Sequence, residues 1–202
     1  MSNIKKPAKA LVTKERDVYT YSELWHASDC MLKDGIEDAN ASSWKFLSSI
    51  VLTAFSFEAY LNHVGIRTIK SWDHLERLPP WSKFEMLCET LNVSFSADKA
   101  ERPLQTIQNL LNFRNTIAHG SSEKLNPKPE IRDSNEQLDC FIGERPLTHW
   151  ERLIQTKDFA ERVREDTKKV LEKIHDARKD VDKEYLFNFG MGFSSAYLIQ
   201  NS

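Results

Sequence analysis

The chain has 202 residues, 40% of them hydrophobic and 29% charged, with six glycines and a formal net charge of −2. Such a length buries one core without calling for several domains. The near-neutral balance excludes a global field that would draw the chain onto nucleic acid or an anionic membrane, and Cys30, Cys88 and Cys140 lie too far apart for a disulfide framework or a clustered metal site, which fits a reducing, cytoplasmic setting.

Residues 1–19 read as an N-terminal arm in which Glu15 and Arg16 arrive before any apolar core, so no secretory signal is expected. A first helix is predicted over residues 21 to about 38 through Leu24, Trp25, Met31 and Leu32, with Gly35 weakening its end. Ser42 or Ser43 is placed to cap a second helix running to Gly65, with Leu47, Val51, Ala54, Phe55, Glu58 and Asn62 on one stripe. The apolar run at 50–61 contains Glu58 and is too short to span a bilayer, so a soluble chain with no membrane partner is expected. Pro79 and Pro80 break the pattern, and residues 81–91 form a short third helix through Phe84, Leu87, Cys88 and Leu91.

The fourth helix starts near Glu101, with Pro103 in its first turn, and stops at Gly120. Residues 121–147 are rich in Pro, Ser, Asn, Asp and Glu and read as a long polar surface excursion. The last helix, about 157–183, carries the cleanest apolar stripe: Phe159, Val163, Thr167, Val170, Ile174, Ala177 and Val181. In the aromatic tail, 185–202, Tyr185, Phe187, Phe189, Met191 and Phe193 alternate as in a strand or an extended segment in a groove. Such a tail either packs on its own domain or contacts a second copy or partner. The sum is an all-α architecture: an antiparallel bundle of four to six helices over 20–184, with a long polar loop and the tail.

Two polar side chains break otherwise apolar rows. On the fourth helix, Leu104, Ile107 and Leu111 are followed by Arg114, a charge that is expensive to bury without a partner. On the second, Glu58 interrupts the stripe in the same way, and an ion pair between Glu58 and Arg114 resolves both anomalies. Asn62 follows Glu58 by one turn; His119 follows Asn115 by one turn, at a helix terminus that suits an acid or base.

The run Arg114-Asn115-Thr116-Ile117-Ala118-His119, with Phe57-Glu58-Ala59-Tyr60-Leu61-Asn62 on an earlier helix, resembles the Arg-x4-His signature of the HEPN superfamily. The resemblance covers about residues 42–120, plus the final helix by pattern. It implies a helical bundle, commonly dimeric, and in many members a metal-independent endoribonuclease of toxin–antitoxin, antiphage or RNA-processing systems. Carried onto this chain, it makes Arg114 and His119 the catalytic pair: His119 the acid/base, Arg114 the phosphate clamp. Asn115 and Asn62 then bind or orient substrate, and Glu58 holds Arg114. The reaction implied is attack of the ribose 2′-hydroxyl on the adjacent phosphate, without metal or other cofactor. One chain holds one motif histidine, so a homodimer with a composite site at its two-fold axis is expected. The substrate is RNA, with tRNA and mRNA both open, and an antitoxin protein is a further expected partner. Two readings compete: a structural one, in which Arg114 only locks two helices through Glu58 and His119 caps its helix end, and a non-catalytic HEPN module that binds another protein or a nucleotide.

Other chemistries find little support. His26, His63, His74, His149 and His175 lack metal-ligand spacing, and His63 reads as a polar helix-end residue. Cys88 reads as packing, and Trp44, Trp72 and Trp81 as core and helix-junction fillers.

Overall fold

The computed structural model describes residues 10–95, 101–126, 145–180, 183–188 and 192–198. Among them are six α-helices: α1 (Thr20–Glu37), α2 (Ser42–Thr68), α3 (Pro80–Leu91), α4 (Leu104–His119), α5 (His149–Leu153) and α6 (Asp158–Ala177). A 3₁₀ turn (Trp72–His74) follows α2, and the strands β1 (Ala10–Arg16) and β2 (Gly192–Leu198) pair antiparallel into a small sheet. The protein is therefore mostly helical rather than all-α, because the arm and the tail close on each other.

The 27-residue α2 is the axis of the packing and touches α1, α3, α4 and α6. Its first half joins Leu32 of α1, Phe113 of α4 and Val163 of α6 around Phe46, Ile50 and Ala54. The second half gathers Tyr21, Phe84, Leu87, Ile107 and Leu171 around Phe57, Leu61 and Val64. The buried stripe differs from the expected one. Leu47 and Val51 are only half-buried and Phe55 is 39% exposed, while Phe46, Ile50, Phe57 and Val64 are inside. A helix apolar on two faces offers two periodic solutions, and its neighbours on both flanks select one.

Local expectations shift for similar reasons. No serine caps α2; Ala41 in a left-handed conformation begins it. Gly65 lies inside α2, where a Cβ would come within 2.2 Å of the Trp72 ring, so it serves close packing rather than termination. Pro103 sits just before α4 rather than in its first turn. The last helix ends at Ala177, where extended backbone at Arg178 turns the chain away; Val181 lies outside the described residues, while Phe159, Val163, Thr167, Val170 and Ile174 are buried as the stripe requires. Most of the excursion, 127–144, is outside the described residues. Just beyond it, α5 is begun by a capping box in which Thr148 and Glu151 bond each other's backbone amides.

The tail runs through a turn at Leu186 and Phe187 and reaches β2 only at Gly192. Of its alternating aromatics, Phe187 stacks on Trp25 with ring centroids 4.3 Å apart, Phe193 lies in β2 and is exposed, and Phe189 and Met191 fall outside the described residues. Every residue of β1 is exposed.

Candidate functional site

Arg114 leaves α4 about one turn beyond the buried Leu111, where the row it shares with Leu104 and Ile107 turns outward beside α2. Its Nη2 donates to Glu58 Oε2 at 3.2 Å, and its Nη1 donates to Asn115 Oδ1 at 3.0 Å. The guanidinium also lies over the Phe55 ring, 5.5 Å from the centroid. The other Glu58 oxygen, Oε1, accepts from Lys83 Nζ at 3.0 Å. One carboxylate thus bridges two cations. Lys83 is 1% exposed, whereas Arg114 keeps a quarter of its side chain in solvent. This division of labour matters: Lys83 secures Glu58 from inside α3, and Glu58 then fixes the guanidinium while its outer edge stays accessible.

Lys83 is the member of this cluster that pairing Glu58 with Arg114 overlooks, although its position carries a signal. It precedes Phe84 by one residue and Leu87 by four, so it belongs to the apolar row of α3 and requires a buried acceptor.

His119 is the final residue of α4 and is exposed. Five residues separate it from Arg114, so the two side chains leave the helix about 140° apart. Asn62 also stands apart from the Glu58 cluster. It lines a cavity of about 310 Å³ with Tyr19, Tyr21 and His63, and its Oδ1 is buried with no protein hydrogen-bond partner. The structure therefore brings Glu58, Arg114 and Asn115 together, adds Lys83, and leaves Asn62 and His119 elsewhere.

No family model, curated protein or solved structure matches the chain. Among the described residues, no group of three or more His, Cys, Asp or Glu side chains is placed to hold a metal ion, and no helix is long and apolar enough to cross a membrane.

A second polar cluster, which helical periodicity does not reveal, lies beside the Asn62 cavity. Arg178, 1% exposed, donates to both oxygens of Glu184 and is paired with Asp180. Glu184 Oε1 also accepts from His63 Nε2 at 2.8 Å, and His63 Nδ1 accepts from Arg67 at 3.0 Å. His63 is thus an interior residue of α2 with both ring nitrogens engaged, not a helix-end residue. Tyr60, fully buried, bonds His175 Nδ1 at 2.9 Å.

Burial pushes the Glu184 carboxyl up, but hydrogen bonds from Arg178, the backbone and His63 outweigh it and hold the group at about 2. Desolvation is the leading cause that lowers both His63 and His175, favouring neutral rings, and it raises the Tyr21 and Tyr60 phenols. Trp72 is buried and Trp81, half-buried at the start of α3, packs on Phe84 and the core as a helix-junction filler, whereas Trp44 is 56% exposed and fills no core. Burial raises the Cys88 thiol to about 12, in keeping with a packing role.

Proposed function

We propose that the chain is a HEPN-like, metal-independent endoribonuclease acting in a cytoplasmic toxin–antitoxin or antiphage system, with an antiparallel helical bundle that dimerises to complete its site. The observation that carries this reading is the partly exposed Arg114 guanidinium, fixed by Glu58 and Asn115 on a helix that ends in the exposed His119. A guanidinium has five N–H donors and these two contacts use two, so Arg114 retains donors for phosphate oxygens.

In this mechanism His119 takes the proton from the ribose 2′-hydroxyl as its oxygen attacks the adjacent phosphorus. His119 of the second copy protonates the departing 5′-oxygen, leaving a 2′,3′-cyclic phosphate. Arg114 neutralises the charge gathering on the phosphoryl oxygens, and Asn115 sets the guanidinium plane. Glu58 and Lys83 hold that plane without touching RNA. Two copies are required because one chain directs Arg114 and His119 about 140° apart.

That same divergence favours the second reading, a non-catalytic module that binds a protein or nucleotide. Incubating the purified chain with cellular RNA in chelator separates the two. Cleavage with cyclic-phosphate ends, reduced at least about 100-fold in Arg114→Ala and in His119→Ala, is expected. Cleavage surviving both substitutions overturns the site; an intact RNA pool with a folded dimer supports the module.

A further inference from the structure

The outward polar residues of α4 fall on one face. Gln105, Gln108, Asn109, Asn112, Asn115, Thr116 and His119 all project within about 60° of Asn112, on a helix that contains no Asp, Glu or Lys. The contrast with α6 is sharp: its exposed positions are laced with pairs such as Lys169–Glu165 and Lys168–Glu172. Asparagine is a poorer helix former than Lys, Glu or Ala, so three of them on an outward face sacrifice helix stability that ordinary surface residues would supply.

A hollow flanks each side of this amide ridge. The smaller, about 290 Å³, lies between Pro79, Pro80 and Trp81 at the start of α3 and Gln108, Asn112 and Asn115. The larger, about 610 Å³, lies between His149, Trp150 and Arg162 and Asn109, Asn112 and Thr116, with Glu123 also at its wall. Asn112 is common to both, and each hollow has a half-buried tryptophan. Asn115 continues the ridge to Arg114, through the 3.0 Å hydrogen bond, and His119 ends it.

Side-chain amides present a donor and an acceptor together, the pattern that matches the edge of a nucleobase. Duplex pairing hides those edges, whereas a single strand exposes both edge and ring face. Indole walls beside the amides supply stacking surfaces that any base can use. We infer that the α4 face binds single-stranded RNA, with bases stacking on Trp81 and Trp150 and Asn112 reading their edges. The direction of the strand, toward Arg114 and His119, rests on the ribonuclease reading; the binding itself does not. Among the described residues Arg114 and Arg162 are the arginines bordering the ridge, so the affinity depends weakly on salt, falling less than about tenfold between 50 and 200 mM.

The test uses the full-length His119→Ala chain, silenced for cleavage, and fluorescein-labelled ten-nucleotide RNAs followed by anisotropy: four homopolymers, one mixed sequence, and that mixed sequence as a duplex. Expected are tighter binding of the mixed single strand than of its duplex and a preference among the homopolymers that Asn112→Ala flattens. Trp81→Ala and Trp150→Ala each weaken binding about tenfold, and Phe at either position restores most of it. Leu at either position keeps the apolar packing of Trp81 and Trp150 on their clusters but has no ring and does not restore binding, which separates stacking from misfolding, and circular dichroism checks the fold of every variant. Equal affinity for single strand and duplex overturns the inference, as does binding indifferent to all three substitutions, or an Asn112→Arg variant that splits a dimer without altering RNA binding. If the wild-type chain cleaves RNA while Asn112→Ala keeps the same base preference, this inference fails and the ribonuclease reading stands. If the silenced chain binds base-selectively but the wild type never cleaves, the reverse holds.

Discussion

Two clusters in this molecule place a carboxylate between cationic groups, and they differ in what they leave open. Around Glu184, Arg178 is 1% exposed and the carboxylate 5%, and both nitrogens of His63 are engaged. Around Glu58, Lys83 is equally buried, but Arg114 remains a quarter exposed and adjoins the α4 ridge. The cluster that engages its carboxylate most fully is thus the less available one. Burial and strong hydrogen bonding at Glu184 tie the segment after α6 back onto α1 and α2, through Tyr21 and His63. At Glu58 the same chemistry positions a cation whose outer edge is free to meet a ligand. Perturbed ionisation marks organisation, and access decides whether that organisation can act on something outside the chain.

The comparison breaks most sharply on a pair of arginine truncations. Arg178→Ala strands Glu184 and Asp180 without their guanidinium, and breaking a buried pair in this way costs about 3–5 kcal/mol, a large share of a typical domain's stability. Arg114→Ala leaves Glu58 bonded to Lys83 and costs about 1 kcal/mol. Urea unfolding of the two variants checks this order. Equal losses would mean that Arg114 is a structural tie like Arg178, and would remove the case for an available guanidinium.

Acid titration gives a smaller effect, graded with pH. His63 and His175 are held below the ordinary value of 6.5, so the folded chain resists protons that the unfolded chain accepts as pH falls through that value. Stability therefore declines from about pH 6.5 downward. A second decline follows between about 4.5 and about 2, where unfolded Glu184 is protonated and the folded carboxylate is not. Urea midpoints measured across this range should fall in both windows, and Glu184→Gln should shrink the lower one without abolishing it, because Asp166 and Asp180 are also held below the ordinary carboxylate range by their arginine partners. A flat profile from pH 7 to 5 would show that the two histidines titrate alike in both states.

How far these clusters are legible from the residue order depends on the distance their partners span. The Glu58–Arg114 pair is foreseeable because each residue interrupts an apolar row, and two interruptions invite one another. Lys83 carries the same signal on a shorter helix. The α6 stripe is legible because its other faces are charged, which leaves one periodic solution; α2, apolar on two faces, leaves two. The Glu184 clamp is beyond periodicity. Its carboxylate lies 121 residues from His63, in a segment without helical spacing, and only the tertiary fold joins them. The β1–β2 ribbon has the same origin, since Thr13 and Ser195 pair across 182 residues and β1 buries no face that would impose alternation.

The smallest expected effect is the most discriminating for the α4 terminus. His119 is exposed, ends its helix and belongs to neither apolar cluster, so His119→Ala should change unfolding free energy by no more than about 0.5 kcal/mol. Its cleavage of RNA should nevertheless disappear. A side chain whose removal leaves the fold untouched but abolishes reaction is acting on the ligand. A loss of about 2 kcal/mol or more would instead place the imidazole in packing, within the chain or against a second copy. Repeating the unfolding at several protein concentrations then separates those two cases, because only a contact between copies makes the midpoint depend on concentration.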